Sequence, residues 1–382
     1  MRTLPGPGAP TRRRILVLNA GSSSLKASVV EAGTALARSS VGWGADASRA
    51  GGRAATVRQV IGELSGQAGS PAAVGHRIVH GGAEFVEPAA VDDGVIDRLR
   101  RVSRLAPLHN PVAVETLEAA RSALPSVPHV VTFDTAFHAA LPEHQRRYPV
   151  PERWAADWGI RRFGFHGLSV EWATRRAAEL LGEPADGLRI VVAHLGSGCS
   201  VTAVHGGRSV ATSMGMTPLE GLMMGTRAGS IDPGVIVELL RAGRLTPDEL
   251  ADVLDHDSGL LAIGGTADVA ELERRASAGE PRALLALEMF AARAAAGIAA
   301  AATALERIDA IAFTGGIGEN AGRTRTAILQ RLGTLGVEAP TTGDLSEDAV
   351  VSRPGARIAV LRIESREDLV IAGHVERSLA TT

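Results

Sequence analysis

The sequence predicts an α/β fold in two domains, and three observations carry that expectation. The chain has 382 residues, beyond the size at which one hydrophobic core keeps growing. Apolar, strand-like runs alternate along it with segments of helical spacing. Two of those runs, 15-ILVLNAGSSSLKASVV-30 and 189-RIVVAHLGSGCSVTAV-204, share one design of strand, Gly/Ser turn and second strand. They lie about one domain apart, which suggests a duplicated nucleotide-binding unit. Hydrophobic content of 45% and charged content of 21% are those of a globular chain. A net charge of −2 gives no electrostatic case for nucleic acid or an anionic membrane, so the expected partners are small molecules. Cys199 is the single cysteine, which precludes an intrachain disulfide and fits a reducing, cytoplasmic setting. No apolar run is expected to span a membrane, the Ala-rich segment 291–305 being interrupted by Arg293. Residues 1–14 are basic without an apolar stretch and read as a disordered extension.

The opening hairpin runs from a strand at Ile15 to Leu18, through a turn of small hydrogen-bonding residues, to a strand at Leu25 to Val30. Gly21 lets a ligand approach the backbone, and Asn19 with Ser22, Ser23 and Ser24 offers groups suited to phosphate oxygens or a hydrated metal. Lys26 is the only lysine among 40 Lys and Arg residues, as a site needing a point charge would retain. An ordinary Ser-rich hairpin is the plain alternative. A surface loop over Gly42 to Gly52 and a helix from about Thr56 to Gln67 follow, then a strand-like 72-AAVGHRIVHGG-82 carrying Arg77 and His80. Asn110 is expected to cap a helix with Pro111 in its first turn. The apolar strand in 129-HVVTFDTAFH-138 delivers Asp134 at its C-terminal end, where ligands bind in open α/β sheets. In the second half, Ser169 is expected to cap a helix to about Leu181, Thr246 with Pro247 another, and an Ala-rich helix runs from Pro281 to about Leu305. In 309-DAIAFTGGIGENAGRTR-325, Gly315, Gly316 and Gly318 let a flat ligand lie on backbone before Asn320 opens a helix. A last strand, Ile358 to Ile363, leads through Ser365, Arg366 and Glu367 into a closing helix.

Neither a P-loop nor a dinucleotide G-x-G-x-x-G is present, 315-GGIGEN-320 matching neither. The chain instead resembles the acetate kinases, in the acetate and propionate kinase group of the actin-like sugar kinase and chaperone superfamily. The motifs that carry this are LNAGSSSLK (18–26), GHRIVHGG (75–82), APLHNP (106–111), FDTAFH (133–138), RRFGFHG (161–167), HLGSG (194–198), TSMGMTPLEG (212–221), MGTRAGSIDPG (224–234) and FTGGIGEN (313–320). The resemblance implies two actin-like, ribonuclease H-like α/β domains with a nucleotide cleft between them. The first would comprise residues 15–163 plus 366–382, and the second residues 164–365. It also implies a homodimer and a cleft that closes on nucleotide.

The implied activity is reversible transfer of the γ-phosphoryl group of ATP to acetate, giving ADP and acetyl phosphate. Acetate is already ionised at neutral pH and attacks without a general base, so alignment and charge neutralisation are the main tasks. By resemblance Arg77 and Arg227 flank the transferring group, where guanidinium forks suit its oxygens, and such an arginine is worth roughly 10³ to 10⁵ in rate. Asp134 resembles the family's catalytic carboxylate, and His166 the histidine that hydrogen-bonds the phosphoryl group, His166 and Arg227 together stabilising the transition state. Asn19 and Glu367 correspond to the Mg²⁺ side of the site, with Mn²⁺ able to substitute. Lys26, His194, Leu195, Gly196, Ser197, Gly198, Asp268, Gly316, Ile317, Gly318 and Asn320 correspond to nucleotide contacts, and His109 also occupies a motif position. His76 and His80 read as structural imidazoles. The acetate methyl would sit among Val79, Leu108, Phe165 and Pro218, with propionate tolerated, since a methylene is worth only ~1–3 kcal/mol.

Three positions depart from the family pattern. Ser197 stands where Asn is usual, Ala270 where Arg is common, and Ala83 where Glu is frequent. They bear on nucleotide affinity and choice of base more than on the chemistry. The rival readings are a propionate or other short-chain acyl kinase, a non-metabolic actin-like nucleotide switch, and an impaired kinase.

Overall fold

The computed structural model describes residues 13–21, 23–43, 51–338 and 346–380. Most of the 1–14 extension, Ser22 and most of the loop expected after Gly42 therefore lie outside the described residues. The chain forms two compact units, Met1–Ala136 with Arg366–Thr382, and Phe137–Ser365.

The first unit contains strands β1 (Arg14–Ala20), β2 (Ser24–Glu31), β3 (Thr34–Gly42), β4 (Ala73–Ile78), β5 (Ala89–Ala90) and β6 (His129–Phe133), with helices α1 (Gly52–Ala68), α2 (Asp93–Val102) and α3 (Asn110–Ala123). Its sheet order is β3-β2-β1-β4-β6-β5. Strands β1, β4 and β6 are mutually parallel and the others antiparallel to their neighbours. Side chains alternate between the faces of a strand, and here the alternation sorts the residues cleanly. Leu16, Leu18, Leu25, Ala27, Val29 and Val74 pack with Val57, Val60, Ile61 and Leu64 of α1 and Ala119 and Ala120 of α3 in one core. The intervening residues, Asn19, Lys26, Gly75 and Arg77, therefore face the other way. That second face is covered by the closing helix, Glu367–Ala380, which docks where Gly75 leaves room. A Cβ at Gly75 would lie 2.6 Å from Ile371 Cγ2 and 2.8 Å from Val375 Cγ2.

The second unit contains helices α4 (Glu143–Arg146), α5 (Glu152–Trp158), α6 (Gly167–Leu181), α7 (Pro233–Arg241), α8 (Pro247–His256), α9 (Gly259–Gly264), α10 (Val269–Ser277), α11 (Pro281–Ala302), α12 (Gly315–Asn320) and α13 (Gly322–Gln330). Its strands are β7 (Arg189–Leu195), β8 (Cys199–His205), β9 (Arg208–Thr212), β10 (Ala310–Thr314), β11 (Ala349–Val350) and β12 (Ala359–Arg362). The sheet order β11-β12-β10-β7-β8-β9 mirrors the first unit strand for strand, with the same parallel and antiparallel pairs. Even the irregularity in the second hairpin recurs, at Val29/Val30 and at Ala203/Val204. The duplication read from two Gly/Ser turns is thus a duplication of the whole sheet. One face packs α6 against Ile190, Val192, Ala310, Ala312 and Leu361.

The sequence placed the first boundary at residue 163, whereas residues 137–163 belong to the second unit. Arg162 explains why: it donates to the carbonyls of Thr212, Ser213 and Met214 and pairs with Glu220, while the Phe163 N–H donates to the Gly215 carbonyl. Other local expectations also shift. Asn110 does not cap α3; its amide is buried and bonds the His80 backbone in both directions. Ser169 lies inside α6, whose N-cap is His166. Asn320 ends α12 instead of opening a helix, the glycine run itself being helical. Thr246 does cap α8, in a complete capping box with Glu249. By length and composition α11 is long and apolar enough to cross a membrane, contrary to the expectation from Arg293. Ala286, Phe290, Ala294 and Ile298 on this helix are buried within the unit.

Candidate active site

Each unit presents one cluster of sequence-predicted residues at the C-terminal ends of its parallel strands. In the first, Asn19, Arg77 and Asp134 come from the adjacent strands β1 and β4 and from the residue following β6, all on the face covered by the closing helix, α14. Glu367 is the first residue of α14, so a contact spanning almost the whole chain joins it to Asn19: the Asn19 amide donates to Glu367 Oε2 at 2.9 Å. Arg77 is the hub. Its Nε and Nη2 form a fork on Asp134, at 2.9 and 2.5 Å, and its Nη1 donates to Asn19 Oδ1 at 3.0 Å. Glu367 Oε2 lies 3.7 Å from Arg77 Nε.

Burial sets the electrostatics of this cluster. Asp134 is 1% exposed, and burial pushes its carboxyl up to about 6 against the pull of Arg77, with the Glu367 charge adding to the rise. Burial alone would lower the Arg77 guanidinium, but Asp134 and Glu367 outweigh it and hold its pKa above the ordinary arginine value. Two carboxylates share one guanidinium, which leaves the cluster one negative charge in excess when both are ionised. The donor set of two carboxylates and an amide oxygen is the hard-oxygen set that a small divalent cation takes. No group of three or more His, Cys, Asp or Glu residues suited to a metal occurs among the described residues. Lys26 is exposed and stands directly across the hairpin from Asn19, on the same face.

In the second unit the equivalent hairpin turn is Gly196-Ser197-Gly198. His194 holds in β7 the place that Asn19 holds in β1, and its side chain points to the α6 face. There the Ser169 hydroxyl and His194 Nδ1 share a hydrogen bond at 2.8 Å. His166 stacks on His194, with ring centroids 4.1 Å apart, and its Nδ1 is 3.0 Å from Ser200 Oγ. Both rings are thus held at Nδ1. A Cβ at Gly198 would lie 3.2 Å from His166 Nε2 and 3.4 Å from Arg227 Nη1, so turn, histidine and arginine converge on one tight position. Arg227 lies 3.6 Å from Asp255, and burial lowers its pKa against the pull of that carboxylate. The glycine run closes on the same point. At Gly315, whose φ of +77° favours glycine, a Cβ would lie 2.7 Å from the Leu195 carbonyl and 3.1 Å from His194 Nε2. Gly316, Ile317, Gly318 and Asn320 follow in α12, where the Asn320 amide donates to the Gly316 carbonyl.

Other expected residues have roles of their own. Asp268 caps α10, accepting from the Ala270 and Glu271 N–H groups. Its neighbour Ala267 lies 3.4 Å from where a Cβ at Gly225 would sit, and the Gly225 N–H donates to the Ser197 carbonyl. Val79 and Phe165 are buried, at 5% and 1%, whereas Leu108 is 45% exposed. Val79 and Leu108 belong to the first unit, Phe165 and Pro218 to the second. His109 is the N-cap residue of α3, without a side-chain cap bond. The buried His76 bonds His129 and the buried His80 accepts from the Gly82 N–H, as structural imidazoles do. Sequence reasoning missed Ser200, Thr135, which accepts from the Gly81 N–H, and the clamp of Asn110 on His80. Ser200 was within reach, since it faces His194 directly across the second hairpin.

A duplicated α/β sheet with charged residues at its parallel-strand ends and glycine turns beside paired histidines suits a phosphotransferase. The chain belongs to the acetokinase family, whose model matches residues 43–373. It is 44% identical to an acetate kinase of Deinococcus radiodurans, the alignment covering 94% of this chain and 96% of that one. Among solved structures, acetate kinase of Porphyromonas gingivalis superposes with a TM-score of 0.86 at 32% identity, covering 96% of this chain and 100% of the other. A propionate kinase of Francisella tularensis superposes with a TM-score of 0.85, also at 32% identity, covering 95% and 98%.

Proposed function

We propose that the chain transfers the γ-phosphoryl group of ATP directly and reversibly to acetate, forming acetyl phosphate and ADP. The observation that carries this reading is the Asn19–Arg77–Asp134–Glu367 cluster, a buried guanidinium fork held between two carboxylates. Acetate is its own nucleophile, and a site that aligns charges without supplying a base is what the reaction needs. Arg77 orients the acetate carboxylate and the transferring group, and Asp134 fixes the guanidinium fork that does so. Val79 and Leu108 in the first unit, and Phe165 and Pro218 in the second, are the apolar residues that this reading assigns to choice of the acid. Arg227 and His166 neutralise and hydrogen-bond the equatorial oxygens, while Gly198 leaves room for them to approach.

The phosphates of ATP are bound by Lys26, by His194 and the Leu195 to Gly198 turn, and by Gly316, Ile317, Gly318 and Asn320, with Asp268 near the nucleoside. Asn19 and Glu367 would hold Mg²⁺, or Mn²⁺ in its place, beside Asp134. When bound, that ion supplies positive charge to the phosphate oxygens. A cytoplasmic location belongs to the same reading, as does a homodimer. Ile231, Val235, Val237 and Leu240, on and beside α7, are exposed apolar side chains. With the exposed Glu238 and Arg241 on the same helix, they suit a second copy of the chain, which can return each charge.

A second reading, preference for propionate, is favoured by the equal likeness to the propionate kinase structure. Hydroxylamine trapping of acyl phosphate with Mg·ATP and formate, acetate, propionate or butyrate, beside an Arg227→Ala variant, tests both. Fastest turnover with acetate and a nearly inactive variant are expected. Fastest turnover with propionate would move the assignment to the second reading. ATP turnover with no acyl phosphate from any acid would overturn both.

A further inference from the structure

His138 closes the FDTAFH motif, and nothing in the proposed chemistry uses it. It is 2% exposed, and both ring nitrogens are engaged: Nε2 lies 2.9 Å from the Phe165 carbonyl and Nδ1 2.8 Å from Ser209 Oγ. These partners fix its tautomer. A carbonyl only accepts, so Nε2 carries the proton and donates. Burial holds the imidazole neutral, pushing its pKa down to about 4, so Nδ1 accepts from the Ser209 hydroxyl.

The carbonyl that His138 grips precedes His166, which has φ +58°. Only His166 and Ala32 among the described non-glycine residues have positive φ, and a left-handed backbone at such a residue persists where its surroundings impose it. The surroundings are specific. Gly164, at φ +76°, lies against the ring, and a Cβ there would sit 2.7 Å from His138 Cγ and 2.7 Å from Thr212 Cγ2. On the other side, the Val170 N–H donates to the His166 carbonyl as the first bond of α6. Between these restraints His166 turns its ring onto His194 and Ser200.

We infer that His138 is a positioning residue, whose neutral imidazole, set by Ser209, grips the Phe165–His166 peptide and thereby aims the His166 ring. The inference rests on the role of His166 proposed above. One hydrogen bond would then orient both that histidine and Phe165.

The test is a cycle of His138→Leu, His166→Ala and the double variant, with turnover measured by acyl phosphate trapping. Misplacing a reacting group by about 1 Å can cost on the order of 10²-fold. His138→Leu should therefore lower kcat on that order with KM for ATP unchanged, and should cost nothing further on the His166→Ala background. His138→Gln, which retains an amide donor for the Phe165 carbonyl, should recover most of the loss. Multiplicative losses, or wild-type kcat in a folded leucine variant, would overturn the inference. If the leucine variant does not fold, Ser209→Ala, which removes the donor to Nδ1, takes its place with the same expected non-additivity. The ¹H–¹⁵N resonances of the His166 ring read orientation independently of turnover, and should move in His138→Leu but not in His138→Gln. If wild-type protein makes no acyl phosphate, the kinase reading fails, and these resonances alone decide the role of His138: unmoved resonances refute it.

Discussion

Replacing Arg77 with alanine removes the hub of the first cluster, and the structure sets the expected size and pH dependence of the effect. The change deletes the fork on Asp134 and the bond to Asn19. It leaves a carboxylate that is 1% exposed without the one cation that acts on it among the described residues. Breaking one side of a buried ion pair costs about 3–5 kcal/mol while the remaining charge stays ionised. Asp134 has an escape, because its carboxyl is already raised to about 6 by burial and losing Arg77 raises it further. A carboxyl raised on folding contributes stability that is fully present below its unfolded pKa, near 3.9, and is lost as pH rises through the folded value. The alanine variant should therefore be least impaired near pH 5 and most impaired near pH 8. Denaturant unfolding at the two pH values measures this directly. Turnover by acyl phosphate trapping should fall by roughly 10³-fold or more, the scale of a transition-state arginine. Arg77→Lys retains the charge but not the fork and should recover stability far better than rate. A stability loss that does not change with pH, or turnover within about tenfold of wild type, would refute the placing of Arg77.

Further expectations concern packing, geometry and specificity. Gly75→Ala places a Cβ 2.6 Å from Ile371 Cγ2, so overpacking of about 1–3 kcal/mol should appear in thermal or denaturant unfolding as α14 is pushed off the sheet. Gly198→Ala meets the side chains of His166 and Arg227 instead of core, displacing them by a few tenths of an ångström, and should lower kcat while leaving the unfolding midpoint near wild type. On the proposed reading Val79→Ala makes room for a longer acid and should shift kcat/KM from acetate toward propionate by about 1–3 kcal/mol, read from the ratio of the two acids in one assay. The kcat/KM profile should also fall on its acid side near pH 6, where Asp134 takes up its proton, above the range in which an ordinary carboxyl such as acetate titrates.

The parts of the fold that the sequence made legible are those set by local chemistry. The two Gly/Ser turns gave the duplication, and the apolar run before Asp134 placed that carboxylate at a strand end. The Thr246–Glu249 box ended as a true cap because its bonds are local. Asn110 and Ser169 look like caps by the same rule, but long-range partners claim their side chains: the His80 backbone for one, His194 and Ser365 for the other. Strand β3 escaped notice because its exposed edge alternates half-buried with exposed residues such as Arg38 and Ser40 and offers no apolar run. The unit boundary was misplaced for a related reason. The partners of Arg162, Glu220 and three carbonyls, lie 50 to 58 residues further along the chain and are not visible in the local sequence. No spacing marks the amide of Asn110 as the partner of the His80 backbone, whereas Ser200 is legible as the residue facing His194 across its hairpin.

The most direct measurement is the stoichiometry of ADP to acyl hydroxamate, followed with Mg·ATP in the presence and absence of acetate. Direct transfer to a carboxylate requires ADP to appear only when the acid is present, with one hydroxamate for each ADP. ADP released at the same rate without acid, or released in excess of hydroxamate, would mean that water is the acceptor and that the cluster around Arg77 does not serve an acyl kinase.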